Sequence, residues 1–193
     1  MHSCQRIFCL NHSSYIFLTA LGHTIFCKSL TMLDSKIIIT YIISVLIKKK
    51  EGFDMKFSFE LNTDTPMEKI WPFYEDINKW FSWEDDLEDI SLNGEFTQNT
   101  TGSMTLSGQP SMEFTLVSVV PGKSFTDKTS IPDIGDIYFI HELNKNEQQT
   151  FIKHSVEFIP FNRKTTVKDL EFISQIFADV PSSVFSLIEA ANG

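Results

Sequence analysis

The sequence predicts an α+β domain, a curved antiparallel sheet of about seven strands wrapped on one long C-terminal helix, with two short helices after the first strand. Three observations carry this. The segment from Met55 opens with apolar residues at a period of two. Further strand-like segments follow, separated by turn dipeptides. The last stretch of the chain returns to a helical period.

Met55–Thr63 alternates Phe57, Phe59 and Leu61 with polar residues, which is the pattern of a half-buried strand. Asp64, Thr65 and Pro66 offer a cap followed by a proline near a first helical turn. Met67, Ile70, Trp71, Tyr74 and Ile77 then fall at helical spacing, with Pro72 inside the pattern as a kink or a later start. Asn78–Trp83 reads as a second short helix or tight turn carrying Trp80 and Trp83.

Six strands are expected next: 87–92, 101–106, 111–120, 123–130, 136–143 and 149–159. Asn93-Gly94, Ser107-Gly108 and Pro121-Gly122 punctuate the first of them, and the polar run Asn144–Gln148 is expected to turn the last hairpin. From about Thr165, Leu170, Ile173, Phe177, Val180, Val184, Leu187 and Ala191 lie on one helical stripe that Pro181 should kink. Neither internal repeats nor low-complexity tracts are present.

Charge divides the chain. Residues 1–54 carry a balance of +3 and residues 55–193 a balance of −12, within a net charge of −9. All three cysteines, Cys4, Cys9 and Cys27, lie in the first segment. The acidic balance disfavours nucleic acid, whose phosphates need a basic surface, and disfavours anionic membrane for the same reason. Three readings compete for residues 1–54. A secretory signal needs a basic start and a small-residue cleavage site, and the opening MHSCQRIF is polar and interrupted. A membrane anchor needs roughly 20 apolar residues, and the run Ile37–Ile47 holds 11. The third reading is upstream DNA translated in frame: codons for Lys48-Lys49-Lys50-Glu51-Gly52 form a purine run ahead of Met55, as a bacterial ribosome-binding site would. The segment is therefore expected to be a mistranslated upstream stretch or a disordered extension, and residues 55–193 the domain. Without a credible signal, the cytoplasm is the expected compartment.

The element order and several local stretches resemble the START-like (SRPBCC) superfamily, in its polyketide cyclase/dehydrase branch. Thr65-Pro66-Met67-Glu68-Lys69-Ile70-Trp71 resembles that branch's opening helix, and Asp76 to Trp83 its D-x-x-x-W-x-x-W segment. Phe139 to Leu143 and His154-Ser155-Val156 resemble its last two strands, and Asp179-Val180-Pro181 an element of its closing helix. Residues 160–168 depart from the pattern by carrying more charge than expected before the last helix. The resemblance implies the helix-grip fold and an internal cavity for lipids, polyketides or other apolar molecules. It implies no single activity, because fold does not carry function.

With Asn144–Gln148 as the loop, Tyr138 is expected to face His154, Ile140 to face Ile152, and Asp136 to face Val156. Tyr138, Ile140, Ile152, His154, Val156 and Phe158 would then share the cavity side, and His141 would fall on the other. A slip of one residue exchanges the faces. His154 is the candidate proton-transfer group, with Tyr138 beside it to polarise a carbonyl; the alternative is a structural histidine in a polar patch. Trp80 and Trp83 read either as an aromatic lid or as core. Met104, Met112 and Phe114 read as a compliant lining or as filled core. The run Glu84-Asp85-Asp86-Leu87-Glu88-Asp89 lacks a calcium-loop pattern and reads as a solvated face. No cysteine or histidine spacing suggests a metal, and no cofactor is implied. Two functions follow: a carrier or binding module for an apolar small molecule, or a cyclase/dehydratase-type enzyme using His154 and Tyr138. A protein-interaction module is the third. Ligand identity and oligomeric state are not encoded in any pattern found.

Overall fold

The computed structural model describes residues 15–20, 23–28 and 55–193. The chain divides into two units, Met1–Glu51 and Gly52–Gly193. In the first, strands β1 (Tyr15–Ala20) and β2 (His23–Lys28) pair antiparallel. Cys27 lies in β2, while Cys4, Cys9, the Ile37–Ile47 run and the rest of the expectation for residues 1–54 fall outside the described residues.

The second unit is a helix-grip fold. Its strands are β3 (Met55–Thr63), β4 (Leu87–Leu92), β5 (Thr101–Leu106), β6 (Met112–Val120), β7 (Ser124–Ile131), β8 (Gly135–Lys145) and β9 (Thr150–Pro160). They form one antiparallel sheet in the order β3-β9-β8-β7-β6-β5-β4, so the first strand of the domain pairs with its last. Between β3 and β4 lie helix α1 (Met67–Glu75) and a 3-10 helix (Ile77–Ser82). Helices α2 (Val167–Phe177) and α3 (Val180–Asn192) close the chain.

The long helix is thus two segments broken at Ala178–Asp179. Pro181 explains the break: it has no N–H to give to the Phe177 carbonyl, and its ring crowds that turn. Ala178 and Asp179 keep right-handed helical dihedrals across the break. Asn192 at its far end donates from Nδ2 to Thr65 Oγ1 (2.8 Å), tying the end of α3 to the start of α1.

The charged stretch before α2 also has a physical reason. Arg163 donates through Nη1 and Nη2 to both oxygens of Asp169, each at 2.7 Å. Asp169 Oδ2 accepts from the Thr166 backbone N–H (2.7 Å), half of a capping box on α2. These charges fix where the helix begins.

The last hairpin departs from the expected register. Asn146 Oδ1 accepts from the backbone N–H groups of Gln148 and Gln149 (2.9 and 2.8 Å), so the turn is made at residues 146–149. Asn144 and Lys145 stay in β8, and the pairing shifts by an odd number: Tyr138 faces Glu157, Ile140 faces Ser155, and His141 faces His154. Tyr138 and Ile140 therefore lie on the sheet face opposite His154, and His141 lies on the same face as His154. Ile152, His154, Val156 and Phe158 keep the shared inner face expected of them.

The inner face carries two apolar clusters. One joins Ile70, Trp71, Tyr74, Trp80, Trp83, Phe114, Leu116, Phe125, Leu143, Ile152, Val184 and Leu187. The smaller joins Ile137, Val156, Phe158 and Ile173, with Phe57, Phe139 and Ile176 packed against it. Among the described residues, no helix is long and apolar enough to cross a membrane.

Candidate functional site

Strand pairing sets Phe125, His141, His154 and Phe59 in one row across β7, β8, β9 and β3. The next row runs Asp127, Phe139, Val156 and Phe57. Polar groups thus enter an apolar face at three adjacent positions. His141, His154 and Asp127 are all buried, Asp127 at 2% exposure.

Helix α1 lays Tyr74 over this patch. Its hydroxyl and His154 Nε2 share a hydrogen bond of 2.7 Å, whose donor depends on the histidine tautomer. Two indoles hold the end of α1 in place. Trp80 Nε1 donates to the Tyr74 carbonyl (2.9 Å) and Trp83 Nε1 to the Phe73 carbonyl (3.1 Å). A short helix leaves its last carbonyls unpaired, and these two bonds satisfy them inside the core. The tryptophans therefore face inward as structural partners of Tyr74, at 4% and 1% exposure.

His141 stacks flat on Phe125, with ring centroids 4.1 Å apart and planes 5° off parallel. Its Nδ1 is buried with no hydrogen-bond partner among the described residues. The nearest charged atom is Asp127 Oδ1 at 3.9 Å, beyond hydrogen-bond reach. Glu84 accepts at Oε2 from Ser183 Oγ of α3 (3.2 Å), near enough to Asp127 to feel its charge. Glu84 departs from the solvated acidic face expected of its run: it turns inward beside Trp83, while Asp85, Asp86, Glu88 and Asp89 stay exposed. The alternation of the strand beginning at Leu87 does not extend back to it.

Burial governs the protonation of these groups. Removal from water pushes Asp127 up to about 7. It pushes Glu84 up to about 8, with the Ser183 bond opposing and the charges of Asp86, Asp127 and Asp85 adding. His154 is pushed down to about 3 by burial. Burial, then the neighbouring His154, holds His141 well below the usual imidazole range. The Tyr74 phenol is raised by burial, then by Glu84. Both imidazoles are therefore neutral at neutral pH, and both carboxyls exchange protons near it. Such a set can donate or accept hydrogen bonds and can relay a proton. Among the described residues, no three His, Cys, Asp or Glu side chains converge as a metal site.

Of the residues singled out in the sequence, Trp80, Trp83 and Phe114 meet in the larger cluster, with Met104 packed against it and the His154 ring beside Tyr74 and Trp83. Phe158 belongs to the smaller one. Met112 pairs with Met104 and lines an open groove of about 560 Å³ with Phe114, Thr129 and Ile131, where β6 and β7 part. Tyr138 and Ile140 join neither cluster; Tyr138 is raised by burial and then by the carboxylates of Asp136 and Glu157 on the opposite face. Sequence reasoning missed Tyr74, Asp127, His141 and Glu84 as a group. Asp127 had a signal: it interrupts the inward stripe Phe125, Thr129, Ile131. Tyr74 looked like any member of a helical stripe.

No protein-family model matches the chain, and no curated protein matches it significantly. Solved structures do resemble it. Ara h 8.0201 superposes with a TM-score of 0.57 at 12% identity, over 73% of this chain and 100% of that one. A protein of unknown function from Staphylococcus aureus, SA2116, gives 0.55 at 10% identity, over 72% and 95%. CalU16 from Micromonospora echinospora gives 0.50 at 13% identity, over 69% and 72%. At such identities the likeness is one of fold, and the fold is the helix grip: a seven-stranded antiparallel sheet closed by the C-terminal helix.

Proposed function

We propose that the domain binds an apolar small molecule in its interior, between the sheet and the helices, as a carrier or binding module. One observation carries this reading: the orphaned Nδ1 of His141, set 3.9 Å from the Asp127 carboxyl in an otherwise apolar wall. A buried polar atom without a partner costs about 1–3 kcal/mol. A ligand oxygen or nitrogen set to one side, within hydrogen-bond distance of both groups, would bridge them, and the surrounding aromatic and aliphatic side chains would hold its apolar body. The helix-grip architecture, shared with the solved structures above, supports the same reading at the level of fold.

The test is native mass spectrometry of the full chain before and after organic extraction. The expected result is an added mass that extraction removes and that His141→Leu no longer retains. All three tryptophans sit around Tyr74, so emission should change when an apolar ligand is returned. A chain without bound mass, indifferent to apolar probes, would end the proposal.

A second reading is proton-transfer catalysis of the cyclase/dehydratase type. The bond between Tyr74 and His154 favours it, with Asp127 titrating near neutrality. Tyr138, on the opposite face, is replaced in that role by Tyr74. Recovery of a chemically altered molecule from the wild type, and an unaltered one from His154→Leu, would support it.

A further inference from the structure

Among the described residues two carboxyl side chains turn inward, Asp127 buried and Glu84 half-buried, with no side-chain cation to match them. Asp127 is buried and has His141 as its neighbour within ion-pair distance. Glu84 has Ser183 as its hydrogen-bond partner. Among the described residues, no Lys or Arg charge bears on either carboxyl. The groups facing them are Tyr74 of α1, His141 of β8, His154 of β9 and Ser183 of α3, with Asp85 and Asp86 beside Glu84 at the surface. None of these is a cation at neutral pH.

We infer that the ligand is an apolar amine, whose ammonium head is received by Asp127 and Glu84 with His141 Nδ1 as a further acceptor. This rests on the reading of the interior as a ligand site and names the class of ligand. An ammonium group donates three hydrogen bonds and accepts none. The site offers a matching inventory: carboxylate oxygens from Asp127 and Glu84, and a neutral imidazole nitrogen with no partner. The rings of Tyr74 and Trp83 meet the His141 ring edge-on at 5.7 and 6.1 Å, so aromatic carbon surrounds the imidazole. A carboxylate ligand would meet two like charges here. A neutral alcohol would leave the protonation of both carboxyls as it is and bring no charge to pair with them.

Binding a cation requires the carboxyls to ionise. At pH 7 the values of about 7 for Asp127 and about 8 for Glu84 leave both partly protonated. Each amine bound should therefore release between one and two protons at pH 7, and amine affinity should rise with pH between 6 and 8 by up to about tenfold per unit for each carboxyl that ionises. Octanol should release none.

The experiment compares n-octylamine, 1-octanol and octanoate on the full chain by calorimetry at pH 7, with the amine repeated in phosphate and in Tris buffer. The amine should bind at least about tenfold tighter than either other probe, as charge-assisted hydrogen bonds are about twice as strong as neutral ones. The apparent enthalpies in the two buffers should differ by the number of protons released times the difference between the buffers' ionisation enthalpies. Asp127→Asn, which mimics the protonated side chain, should lose the amine preference and keep octanol binding. Equal binding of amine and octanol, or amine binding without proton release, would overturn this inference and leave the ligand site standing. Failure of all three probes would overturn both. The buffer comparison uses the wild type alone, so it decides the matter even if the variant does not fold.

Discussion

His141 and His154 stand directly opposite each other on β8 and β9, ring centroids 4.4 Å apart and planes at 77°. Both are buried and neutral, yet their positions are not equivalent. His154 has a partner in Tyr74 at 2.7 Å, whereas His141 Nδ1 has none. One histidine is held by the fold and the other is held open.

That asymmetry predicts unequal costs for removing them. His154→Leu strands the Tyr74 hydroxyl in the core, and a buried group left unsatisfied costs about 1–3 kcal/mol. His141→Leu removes an orphaned nitrogen and strands nothing. In urea denaturation of the unliganded chain, His154→Leu should be the less stable variant by about 1–3 kcal/mol. Equal losses would mean that His141 Nδ1 is satisfied in solution.

The buried acids and bases predict an unusual pH profile. A carboxyl raised on folding binds its proton more tightly in the native state, so its stabilisation is full below about pH 4 and is lost as pH rises through the folded value. For Asp127 and Glu84 that loss runs up to about 7 and about 8. The histidines are lowered, so their contribution is lost as pH falls below about 6.5. Between about pH 4 and 6.5 the two effects oppose each other, and stability should be nearly flat. From pH 6.5 to 8 it should fall, by up to about 1.4 kcal/mol per unit for each carboxyl still titrating. Asp127→Asn should shallow that fall. Melting temperatures across pH 4–9 test this, and a maximum near pH 8 would contradict it.

The order of elements was legible in the sequence because alternation and turn dipeptides act locally: the bounds of β3, β4 and β5 follow from Phe57, Phe59, Leu61 and the flanking Asn93-Gly94 and Ser107-Gly108. The faces of β8 were not. They depend on whether Asn144 or Asn146 makes the turn, and both are polar residues in a polar run. The side chain of Asn146 settles it through two backbone bonds that no pattern announces. The candidate site suffered in proportion, since an odd shift exchanges His141 for Tyr138. Glu84 was hidden differently: its inward turn comes from the tertiary bond to Ser183, 99 residues away.

The start of α2 should depend on Asp169. The hydrogen bonds from Arg163, then those from Thr166, hold its carboxyl well below the usual carboxylate range. A lowered carboxylate gives stability that is present above its unfolded value and is lost as pH falls below about 4. Asp169→Ala removes the capping box and should cost about 1–2 kcal/mol. Hydrogen exchange should then speed up in residues 166–170 before it does in α3. If exchange there is unchanged, the cap does not hold the helix.

Gly102 should tolerate no side chain. It pairs with Phe114 across β5 and β6, and the Phe114 ring folds back over it. A Cβ at this position would lie 2.6 Å from Phe114 Cζ and would also clash with the Ser91 carbonyl oxygen of β4. The ring could swing away only by leaving its core position against Trp80, whose ring centroid is 6.3 Å off in a stacked arrangement. The backbone oxygen has less room still, because Ser91 is paired in the ladder with Ser103. Gly102→Ala should therefore cost about 1–3 kcal/mol, the usual price of overpacking. Gly108, at the open turn after β5 with nothing near its missing Cβ, is the control for a clash-free site. Its positive φ of 74° makes its alanine variant strained for a different reason, one of backbone alone. Shortening Phe114 to Leu separates the two, because it should recover part of the loss at Gly102 and none at Gly108. Without recovery, the contact between the glycine and the ring would not be what limits that position.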